Sequence, residues 1–161
     1  MKRKAKRDRR SIPFRATVAM HEAAHAVSAF RLYRRLLYVT INPDRKNGTD
    51  GYCLTAGLID TKEQIENEII HAMAGMAAEI VIVGISRDEA EAAAHGDLLS
   101  LVGVFKKLRR LGVKLTDEHG YEMGWRARKF VREYRVEIET LAGVLMSERT
   151  LHLPDVMRVL S

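Results

Sequence analysis

The sequence has few of the features that would mark a disulfide-bonded or membrane-spanning protein. It contains one cysteine, Cys53, so it has no internal disulfide and no cysteine-type zinc site, and any metal ion must be held by histidine and carboxylate side chains. Its longest apolar run, residues 72–85, has 14 residues and includes Glu79, which is short of the roughly 20 that a membrane-spanning helix needs. No apolar segment follows the basic N-terminus, as a secretory signal requires. These absences predict a cytoplasmic protein.

The length and composition predict one globular domain. With 161 residues the chain has room for a single hydrophobic core, which leaves no space for a protease and an ATPase motor together. Its hydrophobic share of 47% and charged share of 30% are typical of a soluble folded protein rather than a disordered one.

The excess positive charge lies at one end of the chain. The net charge is +6, but residues 1–10 hold seven Lys or Arg against one Asp, and the remaining residues balance at 20 basic and 20 acidic. We therefore divide the sequence into a flexible basic arm, residues 1–12, and a folded domain, residues 13–161. Such an arm is typical of segments that contact nucleic acid or an anionic surface. A solvated tail without a partner is the alternative.

Hydrophobic periodicity predicts a mainly α-helical fold with a small β-hairpin or sheet, in the α+β class. Residues 17–33 are apolar nearly all round, which indicates a buried helix. The runs 36–42 and 52–56 are rich in strand-forming residues and flank a turn-rich segment, so they predict a hairpin. Capping signatures and helical periodicity predict further helices over residues 61–83, 86–96, 97–112 and 116–147, and a short one from Pro154.

Residues 21–25 read His-Glu-Ala-Ala-His, the H-E-x-x-H arrangement of zinc hydrolases, inside the predicted buried helix. Four residues advance a helix by about 400°, so His21 and His25 lie on one face, one turn apart, where both imidazoles reach a single ion. Glu22 can then approach a zinc-bound water and act as its general base. Two ordinary packed histidines are the alternative, but burying Glu22 without a partner would cost free energy that a cation offsets.

The third ligand is not fixed by the residues alone. A catalytic zinc site has three protein ligands and leaves one position open for water. The downstream candidates are Glu79, His71, His95 and Asp97. Their spacing does not choose among them.

The H-E-x-x-H segment and further blocks of the sequence resemble the FtsH family of zinc metalloproteases, the proteolytic domain of membrane-bound, ATP-dependent proteases. Residues 19–27 resemble that family's HEAGHA segment, and residues 38–43 resemble its V-x-I-x-P strand. Residues 73–80 resemble its GGRAAEE helix, residues 95–98 its SNDL segment, and residues 141–160 its closing helices. Together the blocks follow the family's order and span about residues 15–160. The resemblance implies an FtsH-like peptidase domain.

The resemblance implies a role for each matching residue. His21, His25 and Asp97 correspond to the zinc ligands, and Glu22 corresponds to the general base. Glu79 corresponds to an acidic residue of the family helix, which we expect to orient a histidine ligand. The alternatives are a helix N-cap for Asp97 and a surface ion pair for Glu79.

The strand at residues 38–42 resembles the edge strand along which this family is thought to bind extended substrates. An unpaired edge offers main-chain partners without demanding a particular side-chain sequence, which suits a peptidase of broad specificity. The resemblance therefore implies Val39, Thr40 and Ile41 as substrate-binding residues. A hairpin with only a structural role is the alternative.

The sequence also departs from the family. Ala24 stands where the family has Gly, and Met76 stands where it has Arg. There is no G-x-x-x-x-G-K-[ST] nucleotide loop and no membrane anchor, so we expect a stand-alone peptidase domain that acts without ATP. A separate unfoldase and a homo-oligomer, as in the family's rings, are the further partners that we consider.

Two functions follow from these observations. The first is a zinc-dependent endopeptidase, with Zn²⁺ as cofactor, that hydrolyses peptide bonds of unfolded or partner proteins through a water activated by Glu22. The second is a regulatory or binding module that keeps the metallopeptidase fold with little or no catalysis. The presence of Glu22 favours the first, because a module without catalysis has no need of the base.

Overall fold

Seven α-helices and a three-stranded antiparallel sheet make up the part of the chain that the computed structural model describes, residues 8–32 and 34–161. In chain order the elements are α1 (Ile12–Arg31), β1 (Arg35–Thr40), β2 (Tyr52–Ala56), α2 (Lys62–Ala78), α3 (Arg87–Ala93), α4 (His95–Arg110), α5 (Asp117–Glu133), α6 (Arg135–Glu148), β3 (Thr150–His152) and α7 (Leu153–Leu160). The predicted class, mainly α with a small sheet, is confirmed. No helix among these residues is long and apolar enough to cross a membrane.

Helix α1 packs against helices α2 and α6 and against strands β1 and β2. Almost all of its residues from Ala19 to Ala29 are buried, and five of them are fully buried alanines, whose small side chains let neighbouring elements approach closely. The helix begins at Ile12, earlier than the predicted residue 17, because the Ser11 hydroxyl caps it and Pro13 suits the first turn. Its predicted last residue, Tyr33, lies outside the described residues.

The sheet has the order β2-β1-β3, so β1 is its central strand. The predicted hairpin is present, with Val39 opposite Cys53 across β1 and β2. The expectation that residues 38–42 form a free edge is wrong. The short strand β3 pairs with the other side of β1, with Val39 opposite Leu151, and Val39 and Ile41 are fully buried. Three residues carry too little pattern for β3 to be predicted.

Helix α2 begins with the predicted capping box, in which the Thr61 hydroxyl accepts from the Gln64 amide and the Gln64 side chain accepts from the Thr61 amide. It continues into a π-helical turn, Glu79–Val83, where the Gly84 amide donates to the Glu79 carbonyl, five residues back. Such a turn inserts one extra residue and re-aims the side chains near it. Glu79, at its start, is buried.

Helix α4 begins at His95, so Asp97 is its third residue rather than its N-cap. Ala94 occupies the N-cap position, and no side chain caps the helix there. The N-cap interpretation of Asp97 is therefore wrong. Helix α3 directly precedes α4 and has the predicted Ser86–Glu89 capping box.

The predicted helix over residues 116–147 is two helices. Tyr134, with φ −101° and ψ 20°, ends α5 and precedes α6. Helix α5 packs against α2, whereas α6 packs against α1. Neither proline nor glycine marks this break, which coincides with the change of packing partner from α2 to α1.

The last residues of the predicted arm contact the folded domain. Asp8 forms ion pairs with Arg10 and with Arg149, and Ser11 caps α1. The chain is therefore attached to the domain from Asp8 onward, and not from residue 13. The remainder of the predicted arm, residues 1–7, lies outside the described residues.

Candidate metal centre

Two helices bring three ligand atoms together. Helix α1 carries His21 and His25, and the first turn of α4 brings Asp97 to them. The Nε2 atom of His21 lies 3.0 Å from Asp97 Oδ2 and 3.0 Å from His25 Nε2. The Nε2 atom of His25 lies 3.4 Å from the same carboxylate oxygen. Of the candidates Glu79, His71 and Asp97, Asp97 is the one that joins the two histidines. The side chain of the fourth candidate, His95, lies outside the part of the chain that the structure describes.

The other nitrogen of each imidazole has its own acceptor. His21 Nδ1 lies 2.7 Å from Glu79 Oε1, and His25 Nδ1 lies 2.8 Å from the main-chain carbonyl of His71. When both Nδ1 atoms carry the proton and donate to these acceptors, the lone pairs of both Nε2 atoms point at each other and at Asp97. Three electron-rich atoms then meet at one point, and a cation there would satisfy all of them.

The separations fit zinc. Ligand atoms about 2.0–2.2 Å from a tetrahedral ion lie about 3.3–3.6 Å from one another. The three separations here, 3.0, 3.0 and 3.4 Å, lie within or slightly below that range. Two imidazoles and one carboxylate also match the donor set of catalytic zinc sites, which leave the fourth position open. Glu79 contacts His21 through Oε1, and its second oxygen, Oε2, is buried without a hydrogen-bond partner among the described residues. Positive charge in the ligand set would compensate this buried carboxylate.

The electrostatics of the site favour a positive charge. Burial opposes protonation of His21, but hydrogen bonds to Asp97 and Glu79 outweigh it and raise the pKa of the imidazole to about 10. Burial likewise acts against the charged form of Asp97, yet the neighbouring His25 and His21 hold the pKa of this carboxyl well below its usual range. The same carboxylates that attract a proton to the imidazoles would attract a metal cation.

Glu22 lies beside the ligand set and is itself 7% exposed. Burial raises the pKa of its carboxyl, and the nearby His21 and His25 act in the opposite direction. The side chain packs against the backbone of Gly51, where an added Cβ would come within 2.7 Å of Glu22 Oε1. The loop before β2 therefore forms one wall around this carboxylate.

A second glycine makes room for a ligand. A Cβ on Gly75 of α2 would lie 2.4 Å from Nε2 of His21, which is closer than real contacts allow. Sequence reasoning identified Gly75 only as part of a family motif and did not consider Gly51. Glycine inside an otherwise regular helix was the available signal for Gly75.

His71 serves the site through its main chain. Its carbonyl accepts from His25, while its buried ring contacts the Ser28 hydroxyl through Nδ1 at 2.8 Å. Burial lowers the pKa of the His71 imidazole to about 3, so the ring is neutral. His71, a candidate third ligand in the sequence, therefore supports His25 through its carbonyl and is not part of the ligand set.

A cleft of about 1030 Å³ runs past the ligand set. Its lining includes His21, Glu22, His25 and Asp97, and it continues along residues 47–53 and Thr55 on the β2 side. None of the predicted substrate-binding residues Val39, Thr40 and Ile41 lines it, because Val39 and Thr40 lie on the central strand and Ile41 directly follows it. Of the strands that the structure describes, only β1 pairs with β2, so the free edge at the cleft belongs to β2.

Comparison with known proteins finds distant relatives. No protein family model matches the chain. The chain is 27% identical, over 183 aligned positions, to the mitochondrial ATP-dependent zinc metalloprotease FTSH 3 of Arabidopsis thaliana, with 91% of this chain and 22% of that protein covered. The mitochondrial FTSH 8 of Oryza sativa subsp. japonica gives the same values, and FTSH 10 of Arabidopsis thaliana is 28% identical with the same coverage.

The similarity is weak but extends over nearly the whole chain. The chain spans about a fifth of the length of the curated relatives it matches, with 22% of each covered. The matches show a distant similarity to FtsH-type zinc metalloproteases over nearly the whole of this chain.

Proposed function

We propose that this chain, a distant relative of FtsH-type zinc metalloproteases, is a zinc-dependent endopeptidase. The observation that carries the proposal is the meeting of His21 Nε2, His25 Nε2 and Asp97 Oδ2 within 3.4 Å, next to the buried carboxylate of Glu22 and in an open cleft. The two histidines and Asp97 would hold the ion. Zinc, when bound, lowers the pKa of a coordinated water toward about 7 and polarises the carbonyl of the bond to be cut.

Glu22 is the proton carrier in this proposal. Its carboxylate accepts a proton from the attacking water as the oxygen of that water bonds to the carbonyl carbon of the substrate. The same carboxyl group then gives the proton to the amide nitrogen as the C–N bond breaks. One water is consumed, and the products are a new carboxylate and a new amine.

The remaining polar groups hold the ligands in place. Glu79 and the carbonyl of His71 keep each Nδ1 atom protonated, so that both Nε2 atoms face the ion position. Gly75 leaves the space that the His21 ring fills. These contacts pre-organise the site before a substrate arrives.

The substrate in this proposal is an extended polypeptide that pairs with the free edge of β2. Tyr52, Cys53 and Thr55 of that strand line the cleft beside the ligand set. An added strand makes main-chain hydrogen bonds and places its side chains alternately up and down, so it demands little sequence. Unfolded or disordered segments fit such an edge, whereas folded domains do not.

The test compares wild type with Glu22→Gln on an unfolded casein-type substrate, with zinc content measured in parallel. We expect one zinc per chain in both proteins and a kcat for Glu22→Gln lower by about 10²–10⁴. Glu91→Gln, which alters an exposed carboxylate of α3, is the matched control and should cut like wild type. Equal zinc in all three proteins with no cleavage above background would contradict the peptidase assignment for unfolded substrates.

Several expectations from the sequence stay predictions. They are the cytoplasmic location, a separate unfoldase, a homo-oligomer, and contact of the basic arm with nucleic acid or an anionic surface. If the wild type shows no cleavage in the Glu22→Gln experiment, the alternative function, a regulatory module without catalysis, would be favoured.

A further inference from the structure

Arg10, in the segment before α1, contacts both ends of the loop between β1 and β2. Its Nη1 atom donates to the main-chain carbonyl of Asp50 at 2.7 Å, and its Nη2 atom donates to the carbonyl of Ile41. Residues 42–49 lie between the two residues that bear these carbonyls. One guanidinium group therefore closes the base of this loop.

The guanidinium is itself held in place. Asp8 accepts from Arg10 Nε at 3.1 Å and from Nη2 at 2.9 Å, and its Oδ2 atom also accepts from Arg149 at 2.7 Å. The side chains of Arg10 and Asp8 are only 15% and 10% exposed. Charge-assisted hydrogen bonds of this kind in a shielded position are short and directional, so the contact has one preferred geometry.

The loop that Arg10 closes touches the general base. Gly51 follows Asp50 directly, and its Cα lies so close to Glu22 that a Cβ would come within 2.7 Å of Oε1. Residues 47–51 also line the cleft. A shift of the Asp50 carbonyl would therefore move the wall against which Glu22 packs.

We propose that Arg10 is a positioning residue for Glu22, and that it acts by fixing the Asp50–Gly51 backbone against the Glu22 carboxylate. The catalytic part of this inference rests on the proposed peptidase function. Arginine suits the role because its planar fork reaches two carbonyls and a carboxylate at once, which the single ammonium of lysine does not. The segment that sequence analysis treated as a flexible arm thus takes part in shaping the site.

The experiment compares wild type, Arg10→Ala and Arg10→Lys as full-length, zinc-loaded chains. Hydrogen exchange of the peptide covering residues 43–51 should be faster in Arg10→Ala, while exchange within α2 and the zinc content stay unchanged. With an unstructured peptide substrate we expect kcat to fall about tenfold and KM to change less, as for a misplaced catalytic group. Arg10→Lys should recover only part of the loss.

Matched variants separate this role from general destabilisation. Arg135→Ala removes an exposed arginine–glutamate pair on α6 and should alter neither loop exchange nor kcat. Deletion of residues 1–7 retains Asp8 and Arg10 and should also have no effect, whereas deletion of residues 1–10 should reproduce Arg10→Ala. Asp8→Asn weakens the hold on Arg10 without removing it, so its loop exchange and kcat should lie between those of wild type and Arg10→Ala. This variant replaces Arg10→Ala in the test if Arg10→Ala does not fold.

The outcomes distinguish this inference from the proposed function. Unchanged exchange at residues 43–51 in Arg10→Ala and Asp8→Asn would overturn the inference whether or not the chain cuts peptides. Faster exchange with an unchanged kcat would also overturn it, because the loop would then have no effect on the base. Faster exchange in a chain whose wild type cuts nothing would support the contact and contradict only the peptidase function.

Discussion

At the scale of single residues, the site depends on which nitrogen of each imidazole carries a proton. The acceptors at Nδ1 are a carboxylate for His21 and a main-chain carbonyl for His25. A carboxylate makes the opposite Nε2 atom more basic than a carbonyl does. His21 is therefore the ligand whose strength depends most on a neighbouring side chain.

Glu79→Gln tests this dependence. The amide oxygen of Gln still accepts from His21 Nδ1, but the negative charge is lost, so we expect zinc affinity to fall about 10–100-fold. Competition with a chromophoric chelator would measure it. Glu139→Gln, at an exposed carboxylate of α6, is the control. Equal affinity in Glu79→Gln and wild type would mean that Glu79 does not tune the ligand.

Gly75→Ala tests the space around His21. The new Cβ would lie 2.4 Å from His21 Nε2, so the ring must move, and we expect zinc affinity to fall by about tenfold or more. Gly143→Ala is the matched control, because nothing lies within 4 Å of a Cβ at that helical position. It should raise the free energy of unfolding by about 0.5–1 kcal/mol and leave zinc affinity unchanged. Unaltered zinc binding in Gly75→Ala would show that the ring has room to shift.

At the scale of secondary-structure elements, the site needs four pieces that are separate in sequence. Helix α1 supplies two ligands and the base, α4 supplies the third ligand, the π-helical turn after α2 supplies Glu79, and β2 borders the cleft. The extra residue of the π-helical turn changes the direction in which α2 presents its side chains, and Glu79 stands at its first position.

The free edge of β2 predicts that substrates bind through main-chain hydrogen bonds. Peptides that are N-methylated at one amide near the cut bond lose a donor to the strand edge but keep every side chain. If substrate pairs with β2, kcat/KM should fall about 2–13-fold for methylation at alternate amides, because one hydrogen bond contributes about 0.5–1.5 kcal/mol. Equal losses at every position would indicate a steric effect and would argue against pairing with this edge.

At the scale of the whole molecule, contacts between distant parts of the chain close the fold near the site. Asp8 reaches Arg149, which precedes β3, and the carbonyl of Arg149 accepts from the amide of Ile41 at the end of β1. The N-terminal segment, the sheet and the C-terminal helices thus meet at one place.

This contact predicts a dependence of stability on pH. Hydrogen bonds from Arg10 and Arg149 outweigh the effect of burial and lower the pKa of Asp8 well below its usual range. Because the folded pKa is depressed, the stabilisation is present above the unfolded value of about 3.9 and is lost as pH falls through the folded value. We expect Asp8→Asn to be less stable than wild type by about 1–2 kcal/mol at pH 7.

Urea unfolding of both proteins at pH 7 and at pH 3 would check this dependence. The difference between wild type and Asp8→Asn should shrink at pH 3, where part of the wild-type benefit is lost. A difference of the same size at both pH values would mean that the Asp8 charge does not contribute to stability.

The sequence by itself determined the features that depend on local spacing. The i, i+4 placement of His21 and His25 requires only that residues 21–25 be helical, and the capping boxes at Thr61 and Ser86 involve residues three apart. Most helices and the β1–β2 hairpin follow from the same short-range patterns. Asp97 and Glu79 were proposed through family resemblance, since spacing alone did not choose between the candidate ligands.

Only the tertiary structure decided what depends on contacts between distant segments. The predicted free edge on β1 is absent and β2 has a free edge instead, because β3, more than 100 residues later in the sequence, pairs with β1. The predicted long helix is interrupted at Tyr134. Arg10 donates a hydrogen bond to the loop beside Glu22. Such contacts are selected by the packing of the whole chain, so no local pattern of residues contains them.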